Sequence, residues 1–167
     1  MKIVTLCTGN AARSVMLAYQ LTAIAEAQGR DVSVRSAGTH AAEGAGMSAR
    51  TRDALAAIDL VGNRRFGSHR SHQVTAGDLA WADLVLGLEA DHVRYARRLL
   101  PEAAGRVALV GQMASWETGD NWRQRITTDD VDPGFDVADP AGGDQAMYDD
   151  CAAELWQIAE RVSALIA

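Results

Sequence analysis

Cys7 and Arg13, six positions apart near the start of the chain, are the residues best equipped for chemistry. Between them lie Thr8, Gly9, Asn10, Ala11 and Ala12, and Ser14 follows directly. A cysteine sulfur is a strong nucleophile, and a guanidinium is a planar, permanently charged fork that matches two oxygens of one tetrahedral anion. The small residues between them let successive backbone N–H groups turn toward one point. Gly9 and Asn10 are the types that best tolerate the positive φ such a turn needs. Residues 8–14 therefore form a cradle for an oxyanion, with Cys7 at its floor and the Ser14 hydroxyl able to donate a hydrogen bond to the sulfur. A helix N-terminus and a nearby cation both favour the nucleophilic thiolate. A thiolate beneath a bound phosphate is placed for in-line attack on phosphorus, which gives a cysteinyl-phosphate.

Such an attack needs an acid to protonate the departing oxygen. The candidate is Asp139, in the stretch Phe135-Asp136-Val137-Ala138-Asp139-Pro140-Ala141-Gly142-Gly143. Pro140 biases Asp139 away from the α region and so holds its carboxylate on an extended loop. An Asp-Pro pair alone reads as a plain turn, and its meaning comes from the combination with Cys7 and Arg13. The four histidines, at positions 40, 69, 72 and 92, have no metal-ligand spacing, so no metal or other cofactor is expected.

These groups need a scaffold that delivers Cys7 at a strand end and Arg13 at a helix start. Strand-like runs occur at Lys2–Leu6, Val32–Ser36, Leu84–Leu88 and Val107–Val110. Helical patterns occupy Arg13–Gln28, Ser48–Ile58, Ala90–Leu100 and Asp144–Ile166. Alternation of this kind predicts an α/β fold, a doubly wound, four-stranded parallel sheet flanked by helices, with the site at the carboxyl ends of the strands. In the last helix Tyr148, Cys151, Leu155, Ile158, Val162 and Leu165 recur at three- and four-residue steps, a stripe for the core. That stripe seats Cys151 in a packed seam and leaves it no redox role. The stretch from Gly111 to Ala138 has no clear period, and a connection this long is usually functional, partly helical or mobile.

A chain of 167 residues is one domain, 1–167, long enough to bury a core. Its net charge of −6 argues against nucleic acid or an anionic membrane surface as the main partner. It has no apolar run long enough to span a bilayer, and Met1-Lys2 leads straight into the first strand rather than into a signal peptide. Two cysteines, one of them reactive, suit the reducing cytoplasm. Lys2 is the only lysine among 16 basic residues, a bias that suggests a GC-rich bacterial genome.

Cys7-Thr8-Gly9-Asn10-x-x-Arg13-Ser14 at one end and Asp139-Pro140 before the last helix resemble the motifs of the low-molecular-weight protein tyrosine phosphatases. They equally resemble those of the related thiol-coupled arsenate reductases. Ser36-Ala37-Gly38-Thr39, Ser68–Thr75 and Ala82–Glu89 fit the family's second strand, middle loop and third strand in order, so the likeness spans the whole chain. The resemblance implies a flavodoxin-like fold of the phosphotyrosine phosphatase I type. It implies Cys7 as nucleophile, Arg13 as phosphate ligand, Ser14 as a tuner of the thiolate, and Asp139 as general acid and then base. It also puts His69 where the family has a histidine that steadies the loop asparagine, here Asn10. Phosphate esters or phosphotyrosine proteins would be substrates, with phosphate and arsenate as ligands or inhibitors.

The specificity walls depart from that pattern. The family's usual tyrosine after Asp-Pro is Ala141 here, and His40-Ala41-Ala42-Glu43-Gly44-Ala45-Gly46 has no Phe, Tyr or Trp. A phosphotyrosine ring would lose stacking partners worth about 0.5–1.5 kcal/mol each. Trp116 and Trp122, in the aperiodic stretch, are the candidates to fold over the cleft as a replacement wall. Three functions fit the set: a cysteine-dependent phosphatase, an arsenate reductase using an external small thiol, and a non-catalytic phosphate-binding module. An internal disulfide relay does not fit, because Ala12 stands where relay enzymes commonly carry a second loop cysteine. A pure binder has no use for Asp139.

Overall fold

The computed structural model describes residues 1–62 and 64–167. Four parallel strands form its centre: β1 (Lys2–Cys7), β2 (Ser33–Gly38), β3 (Leu84–Gly87) and β4 (Val107–Leu109). Their order is β2-β1-β3-β4, so the chain winds one way from β1 to β2 and the other way from β1 to β3. In an open parallel sheet the crevice at such a reversal, beyond the strands' carboxyl ends, is where ligands bind. β1 ends there with Cys7.

The strands are apolar on both faces because helices cover both. Ile3, Cys7, Leu84 and Leu86 point into one core, shared with α1 (Arg13–Ala27), α2 (Ala49–Ala56), α5 (Val110–Ala114) and α7 (Gln145–Leu165). Val4, Leu6, Val85, Val107 and Leu109 point into the other, beneath α3 (Ala76–Trp81) and α4 (Ala90–Leu99). This is the period-2 alternation of a strand buried on both sides. In α7 Tyr148, Cys151, Leu155, Val162 and Leu165 are buried as the stripe requires, whereas Ile158 at its edge is only partly buried. Among the described residues no helix is long and apolar enough to cross a membrane.

The differences from the sequence reading lie at the ends of elements, in the aperiodic stretch, and in α3, a helix the sequence reading did not include because six residues are too few to show a period. Ser48 and Asp144 are caps rather than first helical residues, and their side chains accept hydrogen bonds from the N–H groups of Thr51 and Met147. β1 and β2 continue to Cys7 and Gly38, which pair in register. Gly38 has weak strand propensity, but a Cβ there would stand 2.6 Å from the Thr8 carbonyl oxygen, so the close approach of the two chains needs glycine. The stretch after β4 folds into α5, α6 (Trp122–Thr128) and a 3-10 turn at Pro133–Phe135. Each piece is too short to display a helical period.

Candidate active site

The chain from Cys7 to Ser14 turns between β1 and α1 in the sheet crevice. Ala12 occupies the N-cap position of α1 and offers no side-chain cap. The N–H groups of Thr8, Gly9, Ala11 and Ala12 have no protein acceptor among the described residues. A helix start with orphan N–H groups and the positive end of its dipole is built for an anion.

Asn10 is the hinge of the loop. With φ of 52° it is the only described non-glycine residue in the left-handed region, and it is fully buried. Its backbone N–H donates to Cys7 Sγ at 3.3 Å. Its side-chain Nδ2 donates to Ser14 Oγ at 3.0 Å, while Oδ1 accepts from the His72 N–H at 2.9 Å. The two contacts fix the amide's orientation. Because Ser14 Oγ accepts from Asn10, its single proton is directed to Cys7 Sγ, 3.0 Å away. The sulfur therefore receives two donors.

The segment after the second helix runs beside β2, with Gly38 and Gln73 forming an isolated parallel bridge. It brings His69 Nε2 to 2.9 Å and Ser71 Oγ to 2.8 Å from the Asn10 carbonyl oxygen. A carbonyl only accepts, so the His69 ring is protonated at Nε2, and burial lowers its pKa. The expected contact between His69 and the loop asparagine is present through the backbone carbonyl. Ser71 and the His72 amide, which the sequence did not single out, complete it. The His72 ring bridges Glu43 and Asp78, and hydrogen bonding to Asp78 raises its pKa.

Arg13 is almost wholly buried. One guanidinium nitrogen donates to Glu89 and to the Val137 carbonyl oxygen (2.8 Å), and the other donates to Asp139 Oδ2 at 2.6 Å. A buried guanidinium with two carboxylates is compensated and held in one place. Asp139 is itself fixed by an Asx turn, Oδ1 accepting from the Ala141 N–H at 3.0 Å, and the Pro140 that follows it is buried. A cavity of about 90 Å³ opens between these groups, lined by Cys7, Gly9, Ala12, Arg13, Asp139 and Tyr148 among others.

Two further members were illegible in the sequence. Glu89 lies just beyond β3, and only the pairing of β3 with β1 brings it to the strand end that carries Cys7. His92 is buried beneath the loop. Its Nδ1 accepts from the Glu89 N–H at 3.0 Å, which leaves Nε2 to donate to Thr8 Oγ1 at 3.0 Å. Burial lowers its pKa, as that neutral tautomer demands.

The expected tryptophan wall is corrected. Trp116 and Trp122 are buried in the core, at 9% and 6% exposure, and neither lines the cavity over Cys7. Large indoles in this short-helix segment pack inward, each capped on its outer face by an arginine: Arg125 over Trp116 and Arg123 over Trp122. The cleft walls are Ala11, Ala12, Ser48, Ala141 and the ring of Tyr148, a residue the sequence assigned to the core alone. Cys151 is buried behind the Asp139 loop, its Sγ 4.0 Å from the Ala138 carbonyl oxygen, and burial pushes its thiol up to about 12. It is a packing residue with negligible thiolate.

The arrangement can bind a tetrahedral oxyanion on free amides and Arg13, attack it from sulfur, and exchange a proton with it from Asp139. The comparisons with known proteins agree. The sequence model of the low molecular weight phosphotyrosine protein phosphatase family matches residues 2–166. The protein-arginine-phosphatase of Bacillus subtilis is 28% identical over 164 residues, which cover 98% of this chain and 95% of that protein. The low molecular weight protein-tyrosine-phosphatase Etp of Escherichia coli (strain K12) is 31% identical over 116 residues, 66% of this chain and 69% of Etp. The crystal structure of a low molecular weight protein tyrosine phosphatase from T. tengcongensis superposes with a TM-score of 0.79 at 27% identity, covering 97% of each chain. The chain belongs to the low molecular weight phosphotyrosine protein phosphatase family and is a cysteine-dependent phosphatase.

Proposed function

We propose that this protein dephosphorylates side chains of protein substrates, phosphotyrosine foremost, with Cys7 as nucleophile, Arg13 and the amides of residues 8–14 as the phosphate cradle, and Asp139 as acid and base. The observation that carries the reading is the pair of donors aimed at Cys7 Sγ, beneath a cavity bounded by Arg13 and Asp139. Sulfur attacks phosphorus as the ester P–O bond breaks, and Asp139 delivers its proton to the departing oxygen. Asp139 then takes a proton from water, the oxygen of that water bonds to phosphorus, and the S–P bond breaks to release phosphate. Asp139 pairs with Arg13. A phosphate dianion competes for the same guanidinium, so its binding turns the carboxyl group toward the leaving group. Glu89 keeps Arg13 in place while that exchange happens.

Phosphoarginine is the second reading. The alanine-lined mouth and the full-length likeness to a protein-arginine-phosphatase favour it, since a flexible guanidino chain needs no stacked ring. Because Cys7 must stay a free thiol, we assign the enzyme to the reducing cytoplasm. The test is kcat/KM on matched phosphotyrosine and phosphoarginine peptides, with arsenate as competitor, for wild type and Asp139→Asn. The variant slows phenol-type leaving groups of high pKa far more than activated ones; equal slowing of both removes Asp139 from the acid role. Faster turnover of phosphoarginine moves the assignment to the second reading. Consumption of arsenate together with an added thiol moves it to reduction.

A further inference from the structure

Three cavities form a chain along one side of the molecule. Asp139 lines both the cavity over Cys7 and a second one of about 220 Å³, and Glu154 lines both the second and a third of about 360 Å³. They follow α7 from Met147 to Arg161, about 20 Å at 1.5 Å per residue, which matches about six residues of extended chain. Four large apolar side chains are exposed among the described residues, and two of them lie in this groove: Met147 at 50% and Phe135 at 39%. Asp150 and Glu154 stand one helical turn apart beside them, exposed and in no salt bridge among the described residues. Asp136 differs, since its Oδ1 accepts from the Ala90 N–H at 2.7 Å and caps α4. Arg161, the one cation lining the second and third cavities, lies at the far end.

We propose that this groove binds the polypeptide flanking the phosphorylated residue, and that it selects a flank carrying lysine or arginine beside Asp150 and Glu154 with an apolar residue beyond. The inference rests on the phosphoprotein reading above. The groove adjoins the catalytic cavity through Asp139, which lines both, and this adjacency points to the substrate's own chain as the occupant. Two unpaired carboxylates identify the sign of its charge, and Met147 and Phe135 supply apolar contact that outlasts salt. A basic side chain suits the site further because its methylene stem covers apolar surface while its head stays at the carboxylates.

The test separates the groove from the chemistry. Wild-type hydrolysis of p-nitrophenyl phosphate, which has no flank, reports the catalytic reading alone. Binding of fluorescent phosphotyrosine peptides to Cys7→Ser reports the groove, with basic, neutral and acidic flanks compared at low and high salt. The basic flank binds about tenfold tighter than the acidic one at low salt, and the gap narrows as salt screens it. Adding Asp150→Asn and Glu154→Gln removes the preference, and Asp150→Lys with Glu154→Lys reverses it. The same pairs of substitutions in the Cys7 enzyme leave p-nitrophenyl phosphate turnover unchanged. Equal binding of all flanks, or a basic preference that survives the double substitution, overturns the proposal even if the phosphatase chemistry stands. Loss of p-nitrophenyl phosphate turnover in wild type overturns the catalytic reading, whatever the peptides do.

Discussion

Replacing Asn10 by aspartate keeps the shape of the side chain and inverts one of its two hydrogen bonds. The His72 N–H still finds an acceptor, but the group facing Ser14 Oγ becomes a carboxylate oxygen with nothing to donate. Ser14 then gives its proton to residue 10, and Cys7 Sγ loses one of its two donors. A hydrogen bond to a charged partner is worth about 1.5–3 kcal/mol, so kcat/KM falls by about 10- to 150-fold. The added charge beside the anion site deepens the loss. Asn10→Ala removes both side-chain hydrogen bonds and forces a Cβ residue without local side-chain support to hold φ of 52°. At about 1 kcal/mol per bond and 1–2 for the left-handed conformation, it loses about 3–4 kcal/mol of stability. Asn10→Gly is spared the conformational part and melts higher than the alanine variant, yet it catalyses no better, since the Ser14 proton is equally undirected. Thermal melts and p-nitrophenyl phosphate kinetics on the three variants separate the effects. If Asn10→Asp stays within about threefold of wild type in kcat/KM, the Ser14 relay is wrong.

Further outcomes follow from other contacts. Gly38→Ala pushes a Cβ to 2.6 Å from the Thr8 carbonyl and 3.0 Å from the Asn10 nitrogen, so it displaces the loop and lowers kcat more than it lowers the melting temperature; normal kcat in the variant contradicts this. Trp122→Ala costs about 3–5 kcal/mol in denaturant unfolding and leaves KM for an aryl phosphate unchanged, because the indole is core and not cleft; a raised KM with unaltered stability restores the wall. His92 has its pKa lowered by burial, so its contribution to stability is full above about pH 6.5 and is lost as pH falls through the folded value. Urea midpoints of wild type should therefore fall more steeply between pH 7 and about 5 than those of His92→Asn, which starts lower and stays flatter; parallel curves refute the assignment. His72 works in the opposite sense, because Asp78 raises its pKa and its contribution fades only as pH rises through that value.

The parts of the site legible in the sequence are those whose chemistry is local. Cys7, Arg13 and Ser14 sit within one strand-turn-helix, and Pro140 announces the extended backbone of Asp139. Glu89 and His92 were not legible, because their roles arise from β3 lying beside β1, which brings Glu89 to a guanidinium 76 residues away in the chain. The strands and long helices were clear because burial on both faces, or on one stripe, leaves a period. The short helices between Gly111 and Ala138 leave none, and aromatic residues in such a segment read as exposed when they are the segment's own anchor. Tyr148 is instructive in another way. It belongs to the core stripe of α7, yet it also lines the catalytic cavity, and helical periodicity shows only the first of those two facts.

The central claim is that phosphorus passes through the sulfur of Cys7. Acid quenching of wild type during turnover of an aryl phosphate, followed by mass spectrometry and phosphorus NMR, tests it most directly. One phosphorylated peptide is expected, modified at Cys7 with the shift of a thiophosphate ester, and no thiophosphate signal from Cys7→Ser, which loses steady turnover. Steady turnover with no phosphate on Cys7, undiminished in Cys7→Ser, would contradict it.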